Sequence, residues 1–333
     1  MAGCLAPGQE TLRIAFLVSD DSLMGAQAPM RLASAIENAT GRPTRIYLVP
    51  EASLLLEAVA AGQADAAYVS AASAWYAWTW LDMDVPVITL TVDGRTASMA
   101  SAWVRQDSPY QSMEDLRGAR SCHAGSATLE GALLPMGWLI ERGLVAPRSA
   151  ADDDQRLPAL FEAYFSGGVR MPTDRTDPYG EPRGALRCLS EGAGDVAFAR
   201  DTTPAVHCAP AGVRPPTWCL SGYREIQVFG HIPGRMFVVS DGISTGKRED
   251  LVRGFIAVNA TEEGRQLLAL ALQSPGVVPV DSAAVPLGDL AARLSLVPGL
   301  DCQPCAMALV ANEVDEGEEG RPHDEWREYA PDG

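Results

Sequence analysis

The sequence predicts an α/β protein of two lobes, and three observations carry that prediction. First, the chain repeats itself. Leu56 to Ser73 (LEAVAAGQADAAYVSAAS) and Leu186 to Thr203 (LRCLSEGAGDVAFARDTT) align without a gap at an offset of 130 residues. In each copy a helix end passes through a glycine turn, at Gly62 or at Gly192 to Gly194, into a short apolar strand and then a polar loop. Second, short apolar strands alternate with helical stretches along most of the chain. Third, 333 residues are enough for two cores. Ligands of open α/β sheets gather beyond the carboxyl ends of the strands. Those ends carry Tyr68 to Ser73 and Phe198 to Thr203, so each lobe offers a loop to a shared cleft.

Taken in order, Leu12 to Ser19 reads as a strand followed by Asp20-Asp21-Ser22. Pro29 to Ala39 has apolar residues at helical spacing, and Gly41-Arg42-Pro43 ends that helix before a strand at Arg45 to Val49. Ser53 to Ala61 is a helix with Ser53 as its cap, and Asp65 to Val69 is the third strand. Ala74 to Trp80 gathers Trp75, Tyr76, Trp78 and Trp80. Such a cluster ordinarily packs a helix on a sheet; the alternative is an aromatic wall over an apolar or cationic ligand.

Pro86 to Val92 is a strand turned by Asp93-Gly94, and Ala97 to Arg105 is a strand crossing between lobes. Ser112 to Leu116 is a short helix, and the next strand ends at Cys122. The loop from His123 to Thr128 opens a helix from Leu129 to Arg142. A strand feeding a glycine-containing loop into a helix start presents free N–H groups, with hydroxyls from Ser126 and Thr128. Glu130, in the first turn, satisfies the same dipole; it argues against an anionic ligand and could meet a cation. Asp152 to Ser166 is linker and helix, and Gly167 to Pro182 is loop. Gln227 to Phe229 and Met236 to Val239 are strands, the second crossing back to the first lobe, and Gly246 to Leu300 has the rhythm of closing helices.

Composition narrows the function classes. A net charge of −17 with a single lysine, Lys247, argues against nucleic acid as a partner. No apolar run approaches the roughly 18 residues of a membrane span. Met1-Ala2-Gly3-Cys4 looks like the end of a lipoprotein cleavage site, which makes Cys4 the lipidated residue and residues 1–10 a tether to the membrane. Taken consecutively, the six other cysteines make three pairs, and an even count in an exported chain favours disulfides. Cys302-Gln-Pro-Cys305 could instead start a metal site, but one CxxC without a second is thin support. Residues 312–333 are acidic and poor in apolar groups, the composition of a disordered tail. Nothing in the sequence has the form of a nucleophile elbow, a phosphate loop or His-Glu-x-x-His, so no enzyme and no cofactor are expected.

Three motifs resemble a known superfamily. TEEGRQLLALALQSPGVVPVDSAAVPL, Thr261 to Leu287, resembles the closing helix and turn of phosphonate-type periplasmic binding proteins. SMEDLRGARSCHAGSATLEGALLPMGWLIERG, Ser112 to Gly143, and GALRCLSEGAGDVAFARDTT, Gly184 to Thr203, resemble the transferrin lobe. The resemblance implies the two-lobe periplasmic binding protein type II fold. Each lobe would be a mixed sheet flanked by helices, with a ligand cleft between them. Lobe 1 would comprise 11–94 and 237–311, and lobe 2 would comprise 95–236. It also implies disulfides Cys122–Cys188 and Cys208–Cys219; Cys302–Cys305 is expected as the third pair from the even cysteine count alone.

The family's iron ligands do not carry over. Their positions fall on Ser70, near Ser98, near Pro182 and on Arg235, and the carbonate-holding pair falls on Ala124 and Thr128. What the resemblance implies is therefore an exported solute-binding protein, a monomer serving an ABC transporter permease. It would capture a small polar or zwitterionic organic molecule, a phosphonate-like anion included. The expected ligand-binding residues are Asp20, Asp21, Tyr68, Ser70, Ser98, His123, Ser126, Thr128, Glu130, Arg200, Asp201 and Arg235, with no metal. A lipid carrier on the same fold is the alternative, and an iron(III) carrier is a third reading.

Overall fold

The computed structural model describes residues 10–17, 23–125, 128–146, 156–172, 177–180, 183–209, 212, 214–300, 303–304 and 306–307 (backbone alone at 23–26 and 156). The chain begins with β1 (Leu12–Leu17), α1 (Leu23–Thr40), β2 (Thr44–Val49), α2 (Ala52–Ala60), β3 (Ala66–Val69), α3 (Ala71–Trp80) and β4 (Asp84–Thr89). It continues with β5 (Ala97–Arg105), β6 (Arg120–His123), α4 (Leu134–Glu141), α5 (Arg156–Tyr164), β7 (Gly168–Arg170), α6 (Gly184–Ser190), β8 (Val196–Arg200) and α7 (Thr203–Cys208). It ends with β9 (Tyr223–Pro233), β10 (Met236–Val239), α8 (Thr245–Asn259), α9 (Glu262–Leu272), β11 (Val277–Pro279) and α10 (Ala284–Leu294).

These strands form two mixed sheets, one of six strands in the order β11-β4-β10-β3-β1-β2 and one of five in the order β7-β6-β8-β5-β9. β1 runs parallel to β2 and β3, while β10 lies antiparallel between β3 and β4. In the second sheet β6 is parallel to β7 and β8, and β5 is antiparallel to β8 and β9. The chain passes between sheets twice, after β4 and after β9, and the two passes are tied together by Gly234 N–H donating to Thr96 O at 3.0 Å. Gly234 is required there because a Cβ would stand 2.1 Å from the Thr89 carbonyl oxygen.

The repeated units superpose their chemistry as well as their outline. Gly62 and Gly192 both take left-handed backbone, φ +67° and +76°, which ends each helix without a Cβ clash. Asp65 accepts the Arg13 backbone N–H at 2.8 Å and binds its guanidinium; Asp195 accepts the Arg120 N–H at 2.9 Å and binds its guanidinium. Each carboxylate thereby pins its strand to the preceding parallel strand.

Apolar side chains cover both faces of both sheets. On one face of the six-stranded sheet Leu12, Ile14, Phe16 and Phe237 pack with Leu32, Phe255 and Leu268 of α1, α8 and α9. α10 packs against α3 on one side and against α4 and β9 on the other, so it touches the helices of both sheets. Its Arg293 carbonyl comes within 2.7 Å of where a Cβ at Gly137 would stand. Disulfides Cys122–Cys188 and Cys208–Cys219 are formed, with Cα separations of 6.0 and 5.5 Å. No helix among the described residues is long and apolar enough to cross a membrane.

Several local expectations are corrected. α1 begins six residues before Pro29, so that proline lies inside the helix instead of opening it. Ser53 is not the cap of α2: the capping position is Glu51, and no side chain caps there. The stretch expected as loop from Gly167 contains β7, a three-residue edge strand that the glycines masked. The helix after Thr128 opens as a π turn, Leu129–Leu133, before becoming α-helical. Trp75 and Tyr76 are core residues of α3, in line with the packing reading of the aromatic cluster. Cys4, Cys302, Cys305 and the acidic tail lie outside the described residues.

Candidate functional site

The carboxyl ends of β3, β6 and β8 and the two passes between sheets position the candidate residues. At the end of β8 Arg200 is buried, 9% exposed, and its Nε stands 3.7 Å from Oε1 of Glu130, which is 3% exposed. Its Nη1 donates to Ser98 Oγ at 3.4 Å, at the start of β5. Three of the expected residues, from three separate segments, thus meet around one guanidinium. Arg200 is placed there by the β5–β8 ladder, in which it pairs with Ala100.

Glu130 owes its position to His123. The His123 ring lies between Phe161 and Phe198, with centroids at 4.4 and 4.8 Å. Its Nδ1 is 2.5 Å from the Gly131 carbonyl oxygen, which can only accept, so Nδ1 carries the proton. Nε2 then accepts from the Ser121 hydroxyl at 2.9 Å. Burial pushes the imidazole down to about 4, so the ring is neutral and fastens the π turn that carries Glu130. Thr128 holds the same loop from the other side, its hydroxyl donating to Gly125 O at 3.3 Å.

Across the passes, Ser70 follows β3 and caps α3, its Oγ accepting from Ser73 N–H at 3.1 Å. Arg235 precedes β10; its guanidinium lies 5.1 Å over the Tyr68 ring and its carbonyl accepts from Thr89 N–H at 2.8 Å. β3 and β10 pair Val69 with Met236, so Ser70 and Arg235 are the next residues out on neighbouring strands.

Two expectations are displaced, those for Tyr68 and Phe198. Tyr68 was expected on the cleft rim, but it is a core residue: it stacks on Phe237 at 4.9 Å and its hydroxyl donates to Leu272 O at 2.9 Å. Phe198 is likewise fully buried, among His123, Phe161 and Phe229. Asp201 is held at the first pass between sheets, accepting from Met99 N–H at 2.9 Å and Arg95 Nη2 at 2.7 Å. Asp20, Asp21 and Ser126 lie outside the described residues.

Sequence reasoning missed Arg95, which joins Asp201 to Asp93 of the turn before it. Only the Asp93-Gly94 turn signal marked that neighbourhood. It also missed Arg13 and Arg120, the partners of the aligned Asp65 and Asp195; an arginine at the start of each preceding strand was the available signal.

The donor set does not suit ferric iron, which takes anionic oxygens. Of the positions where transferrin ligands would fall, Ser70 offers a neutral hydroxyl engaged as a helix cap, and Arg235 offers a cation. Among the described residues no three His, Cys, Asp or Glu side chains converge as a metal site. The arrangement is a buried cation and anion side by side, with the Ser98 hydroxyl against the cation, a set of groups suited to binding a polar molecule.

Among solved structures the chain resembles XAC2383 from Xanthomonas citri bound to ATP, with a TM-score of 0.63 at 17% identity over 86% of this chain and 98% of that one. It resembles transferrin 1 from Manduca sexta at 0.57 and 16% identity, over 86% of this chain and 46% of that one. A binding-protein component of a phosphonate ABC transporter from Pseudomonas aeruginosa gives 0.53 at 14% identity, over 93% of this chain and 97% of that one. These likenesses show the two-lobe fold. By sequence it is 34% identical to human melanotransferrin over 136 residues, 33% of this chain and 18% of that protein. It is 31% identical to a transferrin of Blaberus discoidalis over 141 residues, 31% of this chain and 19% of that protein. The matched stretches are thus about a fifth of those relatives' lengths. The family model for the periplasmic phosphonate substrate-binding protein of ABC transporters matches residues 19–285, most of the chain, and the chain belongs to that family.

Proposed function

We propose that this protein captures a small polar or zwitterionic organic molecule between its lobes, outside the cytoplasm, and delivers it to an ABC permease. The observation that carries the reading is the meeting of Glu130, Arg200 and Ser98 at the carboxyl edge of the five-stranded sheet, beside the passes between sheets. Ligands of open α/β sheets sit at such edges. The lobes, 11–94 with 237–311 and 95–236, close on the ligand by bending at the two passes. Anchorage through Cys4 and action as a monomer belong to the same reading.

Native mass spectrometry of the protein as purified tests it. The expected result is an adduct of a small organic molecule on the wild type that Arg200→Ala loses. A wild type without adduct, and without a thermal shift from any member of a small-molecule library, would contradict it. An adduct with the mass of a lipid would favour the lipid carrier. A ferric charge-transfer colour after iron loading would restore the iron carrier.

A further inference from the structure

We propose that Val92 and Val206 form a catch for the closed state: as the cleft shuts, the turn from Thr91 to Arg95 rocks onto α7 and the two valines bury each other. The inference rests on the reading above, in which the lobes close by bending at the two passes, and adds a device that holds them shut. Between that turn and α7 lies a notch of about 230 Å³, open to solvent and lined by Val92, Thr202, Thr203, Val206 and His207. Val92 is 62% exposed and Val206 is half-buried. A lone exposed valine is ordinary on a surface. This one stands in one wall of a notch with a second valine in the other, and the two walls spring from different sheets. β3 and β4 both run antiparallel to β10, so the turn leaves the carboxyl edge of the six-stranded sheet. α7 follows β8, at the carboxyl edge of the five-stranded sheet. Those are the edges that closure of the proposed cleft brings together, so closure narrows the notch.

The turn is built to move as one body. Thr91 N–H donates to Arg95 O at 2.7 Å, Gly94 N–H to Thr91 O at 2.8 Å, and Arg95 Nε to Asp93 Oδ2 at 2.6 Å. Gly94 supplies the left-handed residue, φ +81°. At its first end the turn is anchored on the side of the six-stranded sheet. There Leu90 N–H donates to Gly276 O at 2.9 Å and Ser274 Oγ donates to Leu90 O at 2.8 Å. At its other end Arg95 Nη2 reaches Asp201 Oδ2 at 2.7 Å, next to Thr202 in the notch wall. That ion pair is a pivot beside the notch, about which Val92 swings. A contact between Val92 and Val206 removes apolar surface from water in the closed form alone. An interaction made in one of two states is what moves a population between them. Burying the exposed part of one valine shifts the closing equilibrium by about fivefold.

The test uses the small molecules extracted from the purified protein, added back in a dilution series to refolded wild type, Val92→Asp and Val92→Ser. Small-angle X-ray scattering follows the radius of gyration. Both variants are expected to need about fivefold more extract than the wild type to reach half of the contraction. Neither is expected to shift the midpoint of urea unfolding, since exposed substitutions seldom change stability. Half-contraction at the wild-type concentration of extract in both variants overturns the catch and leaves solute binding intact. So does a weaker uptake that comes with a lowered urea midpoint, because the loss is then one of folding. The pair of variants separates an added charge from a lost apolar contact: an effect of Val92→Asp that Val92→Ser lacks also overturns it. Failure of the proposed function shows differently, as a wild type that does not contract at any concentration of extract, and it removes the catch as well.

Discussion

In lobe 1, Asp65 holds the backbone N–H and guanidinium of Arg13; in lobe 2, Asp195 holds those of Arg120. The frames of the two repeated units are therefore the same, down to the left-handed glycine that precedes each carboxylate. Their surroundings differ. Asp65 also takes Lys247 Nζ, the chain's one lysine, at 3.0 Å and is buried, whereas Asp195 is more open, with 20% of its side chain exposed against 8%. The tips differ more. β3 is followed by Ser70, a neutral helix cap, while β8 ends in Arg200, paired with Glu130, and is followed by Asp201, tied to Arg95. The lesson is that a duplicated frame keeps the contacts that hold strand to strand and leaves the strand tips free to diverge. Among the described residues, the charged strand tips are those of β8.

The comparison can be broken or sharpened by measurement. Asp65→Ala leaves Lys247 and Arg13 facing each other in a buried site, and is expected to cost about 3–5 kcal/mol. Asp195→Ala removes a more exposed pair and is expected to cost about 1 kcal/mol. Urea unfolding of the two variants checks this, and equal losses would erase the distinction. The same carboxylates set acid sensitivity. Burial pushes Asp65 up, but the hydrogen bonds from Arg13 and Lys247 outweigh it and hold the group below the ordinary carboxylate range. The Arg120 hydrogen bond lowers Asp195. A lowered folded-state value means stability that is present above the ordinary value of about 4 and lost as pH falls through the lowered one.

Both described disulfides belong to the lobe-2 segment. Cys122–Cys188 closes a separation of 66 residues and Cys208–Cys219 one of 11. On chain entropy the first contributes about 4 kcal/mol and the second about 3 kcal/mol. Cys122→Ala with Cys188→Ala should therefore lower the unfolding midpoint more than Cys208→Ala with Cys219→Ala. The reverse order would show that local packing, not loop closure, governs.

His123 gives lobe 2 a pH dependence of its own. Its folded value of about 4 lies below the ordinary 6.5, so the unfolded chain takes up a proton first as pH falls. Stability is undiminished above pH 6.5 and declines by about 3 kcal/mol between there and pH 4. His123→Asn should flatten that interval in a series of denaturation curves; an unchanged slope would move its origin elsewhere. Arg95→Ala, at an exposed pair, is expected to cost under about 1 kcal/mol of stability, with differential scanning calorimetry as the check.

Much of the frame was legible in the sequence because it is local. The glycine turns, the strand Ala97–Arg105 and the strand Met236–Val239 follow from residues next to one another, and the structure returns both strands with those bounds. The site was legible in part. Glu130, Arg200 and Ser98 were singled out separately, and the structure brings them together. Tyr68 was misplaced because β3 is buried on both faces, so alternation along Ala66–Val69 carries no sign of which face meets the cleft. The Arg95 partner of Asp201 was not foreseen because it is 106 residues away, a distance over which pattern says nothing. The π turn was not foreseen because it depends on a histidine bonding across the loop, not on helix propensity.

Closure of the lobes around a ligand held by Arg200 is tested most directly by small-angle X-ray scattering. The wild type, unfolded to release its cargo and refolded, is compared before and after return of the small molecules extracted from it. The account predicts a larger radius of gyration without ligand, contraction when the extract is restored, and no contraction for Arg200→Ala. A wild-type profile unchanged by saturating extract would contradict it.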